Sequence, residues 1–345
     1  MQLIDYINEV DSQRLMGGLM FRKRARTRTV GILARGTGRM IATFSFPHWR
    51  DAMPALLHLL RPHERDIGFP VKRLLPTAAV PAVGPFVFFD HMGPATFPAG
   101  TTEGDVRPHP HVGLSTFTYL FSGPMSHGKG WGGDQRFEPG AVKWMPGGSG
   151  VVHSERIPAD IRDSGQPVEG IQVWLAAPAD REDDSPGFQH YPAETLPLIE
   201  ADGVRLRVLA GAFQGAISPV RTEIPTLCVS GELEAQATLT LPTEVEELAV
   251  YVAAGELILA ERTLSAGQMA VLDPRMETVA RTTQSVRLML IGGQRLDGKR
   301  LIWWNFVATS RERIEAAKIA WAREQFPLIP GETERIPLPA GSLVD

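Results

Sequence analysis

Two short stretches hold residues at a spacing suited to metal chemistry, Pro108-His109-Pro110-His111 and His153-Ser154-Glu155. Each sets two ligand-type side chains at i and i+2. In an extended strand that spacing sends both to the same face. Two such strands facing one another inside a barrel would bring three imidazoles and one carboxylate to one point. His109, His111, His153 and Glu155 are therefore the candidate metal ligands. A lone histidine in a strand is usually a satisfied structural residue, but two same-face pairs flanked by glycine turns call for another explanation. Pro108 and Pro110 lack the amide a central strand needs, so their strand belongs at an edge or rim. The run Gly147-Gly148-Ser149-Gly150 reads as a tight turn that returns the second pair over the first.

The donor set narrows the chemistry. Neutral imidazoles and a carboxylate, without thiolate, argue against a structural zinc site built on cysteine. The set is one imidazole richer than the two-histidine, one-carboxylate triad of non-haem Fe(II) enzymes. Four filled octahedral positions would leave two for substrate and dioxygen or water. Fe(II) is the expected ion, with Mn, Ni, Cu and Zn as alternatives, because geometry and supply select among them more than raw affinity does.

The elements that must position these residues are short strands. The chain has 345 residues, enough for two domains, and its 34 glycines and 28 prolines suit strands joined by turns. Runs such as Phe86-Val87-Phe88-Phe89, Thr116 to Phe121 and Ala141 to Met145 are β-branched and aromatic, and turn signals separate them. An all-β sandwich or barrel is predicted. The segment Leu248 to Gly255 echoes Thr116 to Gly123, and Leu264 to Leu272 echoes Phe137 to Met145, with glycines displaced by 132 and 127 residues. A repeat of that size predicts two similar barrels in tandem. No histidine follows His190, so the second repeat cannot share the imidazole chemistry of the first. Ser310 to Phe326 has near-helical apolar spacing with Ser310 as N-cap, which predicts an amphipathic helix before a proline-rich tail from Pro327.

Composition sets the outer bounds. A formal net charge of −4 gives no electrostatic reason for nucleic-acid binding. The first sixty residues carry nine basic and four acidic side chains, seven of the basic ones between Arg22 and Arg39. Without interleaved aromatic residues, residues 1–60 are expected to form a poorly ordered basic extension rather than a nucleic-acid arm. Cys228 is the single cysteine, lies in an apolar run, and reads as a small core residue. No apolar run reaches about 18 residues, so no membrane span is expected. Asp5, Glu9 and Asp11 stand where a signal peptide would be basic, so the expected location is the cytoplasm.

Several longer motifs resemble the pirin family of the cupin superfamily: Pro85 to Pro94, Pro108 to Leu114, Trp144 to Gly150, Val152 to Arg156 and the distal Ile302-Trp303-Trp304-Asn305-Phe306-Val307. The similarity runs from about residue 65 to 325. It implies a bicupin with metal in the N-terminal barrel only, and His109, His111, His153 and Glu155 match the four ligands of the family's iron site. The general cupin pattern places a glutamate three or four residues after the second histidine. Here Ser115 and Thr116 stand there, and in this family the carboxylate comes from the later motif. The implied organisation is a basic extension (1–60), a metal-binding cupin domain (65–195), a second cupin domain without ligands (200–308), and a C-terminal helix and tail (309–345).

The resemblance also implies an activity. Bacterial pirins resemble quercetin 2,3-dioxygenases, so the first expectation is an oxygenase in which Glu155 is both ligand and candidate general base. Phe86, Phe88, Trp144 and Met145 are candidates for an apolar wall against a planar flavonol-like substrate, and His91 and His127 for supporting or rim groups. The alternative is a non-catalytic, iron-dependent regulatory protein with a protein partner, as eukaryotic pirins are described. A monomer is expected, without direct nucleic-acid contact.

Overall fold

Alternation along Leu114–Ser122 sets the plan of the molecule. Phe117 and Tyr119 face one way and Thr116, Thr118 and Leu120 the other, and all five are buried. A strand buried on both faces must lie between two layers. The computed structural model describes residues 55–130 and 134–341, and it places this strand centrally in an antiparallel sheet of seven. The order is Gln189–Tyr191, Val142–Pro146, Leu114–Ser122, Val168–Ala176, Phe86–Ala95, Pro70–Leu75 and His63–Asp66. Its inner face looks onto a four-stranded sheet ordered Val106–His111, Val151–Arg156, Met125–Lys129 and Asp134–Phe137.

The predicted repeat is present strand for strand. A second seven-stranded sheet runs Leu56–Leu60, Met269–Leu272, Glu247–Ala254, Val286–Gly293, Thr226–Leu233, Val204–Ala210 and Leu198–Ala201. Its companion four-stranded sheet is Thr238–Thr240, Val279–Thr282, Glu256–Leu259 and Arg262–Ser265. The two seven-stranded sheets face each other across the largest core, where Phe89, Phe117, Trp144 and Val173 meet Cys228, Ala249, Tyr251 and Met289. Each phenylalanine, valine or methionine among them contributes about 1.5–3 kcal/mol on burial. Cys228 is buried there, as expected, and burial pushes its thiol pKa upward.

Both ends of the described chain cross to the other module. Leu56–Leu60, expected to belong to the extension, instead pairs antiparallel with Met269–Leu272 as an edge strand of the second module. The basic run between Arg22 and Arg39 lies outside the described residues. At the other end, the predicted helix spans Arg311–Ala322, and the Ser310 hydroxyl accepts from Arg313 N at its start. Its Ile314, Ala317 and Trp321 pack against Val112 and Val152, on the outside of the two strands that carry the candidate ligands. The tail continues along them. Ile336 N donates to Pro108 O (2.8 Å), and Ser154 Oγ donates to Glu332 (3.0 Å). The proline-bearing strand is thus an edge strand, as predicted, and the tail meets its outer side.

One buried polar network joins the modules. His91 Nε2 lies 3.1 Å from a Glu169 oxygen, its Nδ1 lies 2.6 Å from Tyr251 Oη, and Arg287 also pairs with Glu169. A carboxylate only accepts, so Nε2 donates to it and Nδ1 accepts from the tyrosine. His91, expected as a rim or supporting group of the metal site, therefore serves the contact between sheets. Tyr251→Phe removes the donor and leaves a buried imidazole nitrogen unpaired. Urea denaturation should show a loss of about 1–3 kcal/mol, and an unchanged midpoint would contradict this role.

Candidate metal centre

The antiparallel pairing of Val106–His111 with Val151–Arg156 sets His153 opposite His109 and Val151 opposite His111. Because facing residues share a side of the sheet, the three imidazoles point together into the interior. The register then shifts between His153 and Glu155. Such bulges re-aim a side chain, and on the neighbouring strand Glu155 lies directly opposite His127. Two glycines hold the turns that close this arrangement. Gly113 N donates to Gly148 O (2.8 Å). Both adopt positive φ, and a Cβ on either would stand 1.9 Å from a backbone oxygen, of Val307 and Asp184 respectively.

Nitrogen atoms of His109, His111 and His153 lie within 4.8 Å of one another, and so do ligand atoms of His127, His153 and Glu155. His111 Nε2 and His153 Nε2 are 3.1 Å apart. Two nitrogens bound at a right angle to one ion, each at about 2.1 Å, would be about 3.0 Å apart. His109 Nδ1 donates to Arg107 O (2.9 Å), which leaves its Nε2 as the acceptor. Glu155 accepts a 2.6 Å hydrogen bond from Gln172 Nε2, and His127 Nε2 approaches it to 3.1 Å without full hydrogen-bond alignment. The four sequence-predicted residues thus fall in two overlapping buried triads that share His153, and His127, expected as a rim or supporting group, belongs to the one that holds Glu155.

Burial controls the charge of these groups. Desolvation lowers the pKa of His109, His111, His127 and His153, which favours the neutral form whose lone pair a cation needs. For Glu155 burial pulls upward, but His127, His109 and the Gln172 hydrogen bond together hold it below the ordinary carboxylate range. Neutral imidazoles around an ionised carboxylate form a donor set that suits a divalent ion.

The facing sheet supplies a polar row in register: Arg73, Asp90, Gln172, Thr118, Lys143 and His190 are successive cross-strand partners. Arg73 pairs with Asp90 through 2.9 and 2.8 Å bonds, and Gln172 reaches across to Glu155. The apolar wall lies two residues along. Phe88 stacks on Trp174 at 3.9 Å, and the His111 ring is 5.3 Å from Trp174. Of the four wall candidates, Phe88 and Met145 stand in that inward row, whereas Phe86 and Trp144 belong to the core between the seven-stranded sheets. The strand period shows which residues share a face and leaves open which face is inward. Gln172, Trp174 and Lys143 were not singled out for the same reason, since each reads as an ordinary strand position.

The second module repeats this geometry with different fill. Leu239 pairs with Ala280 where His109 pairs with His153, and Leu257 pairs with Thr282 where His127 pairs with Glu155. Leu239, Leu257 and Ala280 are buried in a core of aliphatic side chains.

The histidine shifts carry a pH dependence for metal-free protein. The unfolded chain binds protons at these histidines near pH 6.5, whereas the folded chain resists them, so stability rises with pH through that window and falls below it. Glu155 contributes in the same direction lower down, because its advantage is lost as pH falls through its depressed folded value. Chelator-treated protein should have a lower urea midpoint at pH 5.5 than at pH 7.5, and equal midpoints would contradict the assignment of neutral buried histidines.

Comparison with known proteins agrees with this architecture. Residues 68–175 match the Pirin family and residues 228–327 match the Pirin C-terminal cupin domain. A pirin-like protein of Caulobacter vibrioides is 44% identical over 281 residues, covering 80% of this chain and 96% of that protein. A Pseudomonas aeruginosa protein provisionally named a quercetin 2,3-dioxygenase is 33% identical over 279 residues, covering 79% and 86%. The crystal structure of quercetin 2,3-dioxygenase from Acinetobacter baumannii superposes with a TM-score of 0.77 at 32% identity, covering 84% of this chain and 96% of that one. Paired cupin-type modules, the matched domains and these relatives lead to one conclusion: the chain belongs to the pirin family.

Proposed function

We propose that this protein is a non-haem metal oxygenase of the quercetin 2,3-dioxygenase type, acting with O2 on a flavonol or a related small aromatic. The observation that carries the reading is the buried donor set, above all the 3.1 Å separation of the His111 and His153 Nε2 atoms in a cluster that Glu155 joins. Its similarity to the Acinetobacter and Pseudomonas proteins supports the same reading. In this proposal His109, His111, His153 and Glu155 hold the ion, with Fe(II) first and Mn, Ni, Cu or Zn as alternatives. When bound, the ion supplies Lewis acidity to an ionised substrate oxygen and a redox partner for dioxygen.

The protein's own residues do the rest. The bond from His109 to Arg107 O fixes the imidazole tautomer, and Gln172 orients the Glu155 carboxylate. The depressed pKa of Glu155 suits it to the ligand role and makes it a weak base toward a substrate hydroxyl. Trp174, stacked on Phe88 and 5.3 Å from the His111 ring, gives the site an apolar lining.

Protein reconstituted anaerobically with Fe(II) should consume O2 when quercetin is added. His111→Ala and Glu155→Gln should lower the rate by at least about 100-fold, a loss typical of a removed functional group. An absence of O2 uptake with Fe, Mn, Ni, Cu and Zn, together with a stoichiometric protein complex, would instead favour the regulatory alternative.

A further inference from the structure

The polar row opposite the metal ligands contains a group that neither the fold nor the proposed ligand set uses. The Lys143 side chain is fully buried, yet its Nζ has no hydrogen-bond acceptor and makes no ion pair among the described residues. Its surroundings are aromatic: Nζ lies 3.7 Å from the Phe188 ring centre and 5.3 Å from that of Phe137. Phe188 is half-buried and also lies under Lys129 Nζ at 4.4 Å. The neighbours of Lys143 in the row share its condition. Thr118 Oγ1 on one side and His190 Nδ1 on the other are buried without partners. Glu155, the carboxylate that acts on Lys143, is already engaged by Gln172 and His127.

A buried amine without an acceptor is expensive for a fold, because desolvation is not offset. Burial pushes the Lys143 amine down to about 6, which relieves part of that cost by favouring the neutral amine. Phenyl faces stabilise a cation through the ring quadrupole, so an ammonium formed on ligand binding would be accommodated. The arrangement lacks one thing, an anionic oxygen within reach of Nζ.

We propose that Lys143 is the residue that recognises the ligand's ionised oxygen, with Thr118 and His190 as flanking hydrogen-bond groups. The ligand is thereby a planar compound with an ionisable enolic or phenolic hydroxyl. On binding, the proton leaves the ligand O–H for Nζ, so that an ammonium and an oxyanion form and no other reactant is needed. The inference rests on the reading that the site takes a small aromatic ligand, and it adds a ligand-contacting residue on the sheet opposite the proposed metal ligands.

The test uses full-length, chelator-treated protein with 3-hydroxyflavone and with flavone, which lacks the hydroxyl. Wild-type protein should bind 3-hydroxyflavone more tightly than flavone and show the absorption band of the flavonol anion. Lys143→Met should weaken 3-hydroxyflavone binding by about tenfold or more and lose that band, with flavone affinity unchanged. Lys143→Arg, which supplies a cation that is already protonated, should retain the band with the ligand's proton released to solvent. Lys143→Met should also unfold at the same temperature as wild type or higher, since an apolar side chain of similar length replaces an unpaired amine. The proposal is overturned if the methionine variant keeps the anion band and affinity, if wild type does not prefer 3-hydroxyflavone, or if the variant is substantially destabilised, which would make the lysine structural. Oxygen uptake by metal-loaded wild type is scored separately. Turnover with an unaffected methionine variant removes the lysine role alone, and anion binding without turnover removes the oxygenase reading alone.

Discussion

His153 stands opposite His109 in the pairing of two antiparallel strands, and the rest of the site depends on that register. A slip of one residue would turn Ser154 inward and send His153 and Glu155 to the outer face. Several features resist the slip. Gly113 and Gly148 tie the adjoining turns together in conformations and spaces that only glycine fills. On the outer face, Ser154 is bonded to Glu332 of the tail, while Val112 and Val152 pack against the C-terminal helix. The bulge after His153 then lets the chain present Glu155 to His127 and Gln172.

The two modules divide the work. Both use the same strand order, and the site positions of the first are matched by leucine, alanine and threonine in the second. Aliphatic fill stabilises by burial alone, whereas buried imidazoles are stable only when neutral or partnered. The aromatic and aliphatic core between the seven-stranded sheets, with the His91–Tyr251 contact, fixes the sheet that bears Gln172, Thr118 and Lys143.

Much of this was legible in the sequence, for physical reasons. A strand has period two, so two histidines at i and i+2 must share a face, and two such pairs between glycine turns point to one centre. Ser310 ahead of an apolar 3.6-residue pattern marked the helix start to the residue. The same alternation does not say which face of a doubly buried strand looks toward the histidine cluster. Trp144 and Phe86 therefore read as wall residues although they pack between the seven-stranded sheets, and Trp174, which does face the cluster, reads as an ordinary strand position. Lys143 was invisible for a related reason. A lysine in a strand usually marks a solvated face, and only tertiary packing shows its amine enclosed by rings. Leu56–Leu60 lies next to a basic stretch and finds its partner more than 200 residues away, a pairing that local composition does not encode.

The central claim is that His109, His111, His153 and Glu155 hold one ion. Anomalous diffraction from crystals of the protein as purified, recorded across the absorption edges of iron, manganese, nickel, copper and zinc, tests it most directly. The account predicts a single anomalous peak about 2.1 Å from one nitrogen of each of these three histidines and from a Glu155 oxygen. A cluster without such a peak, or an ion held by His127 in place of His109 or Glu155, would contradict it.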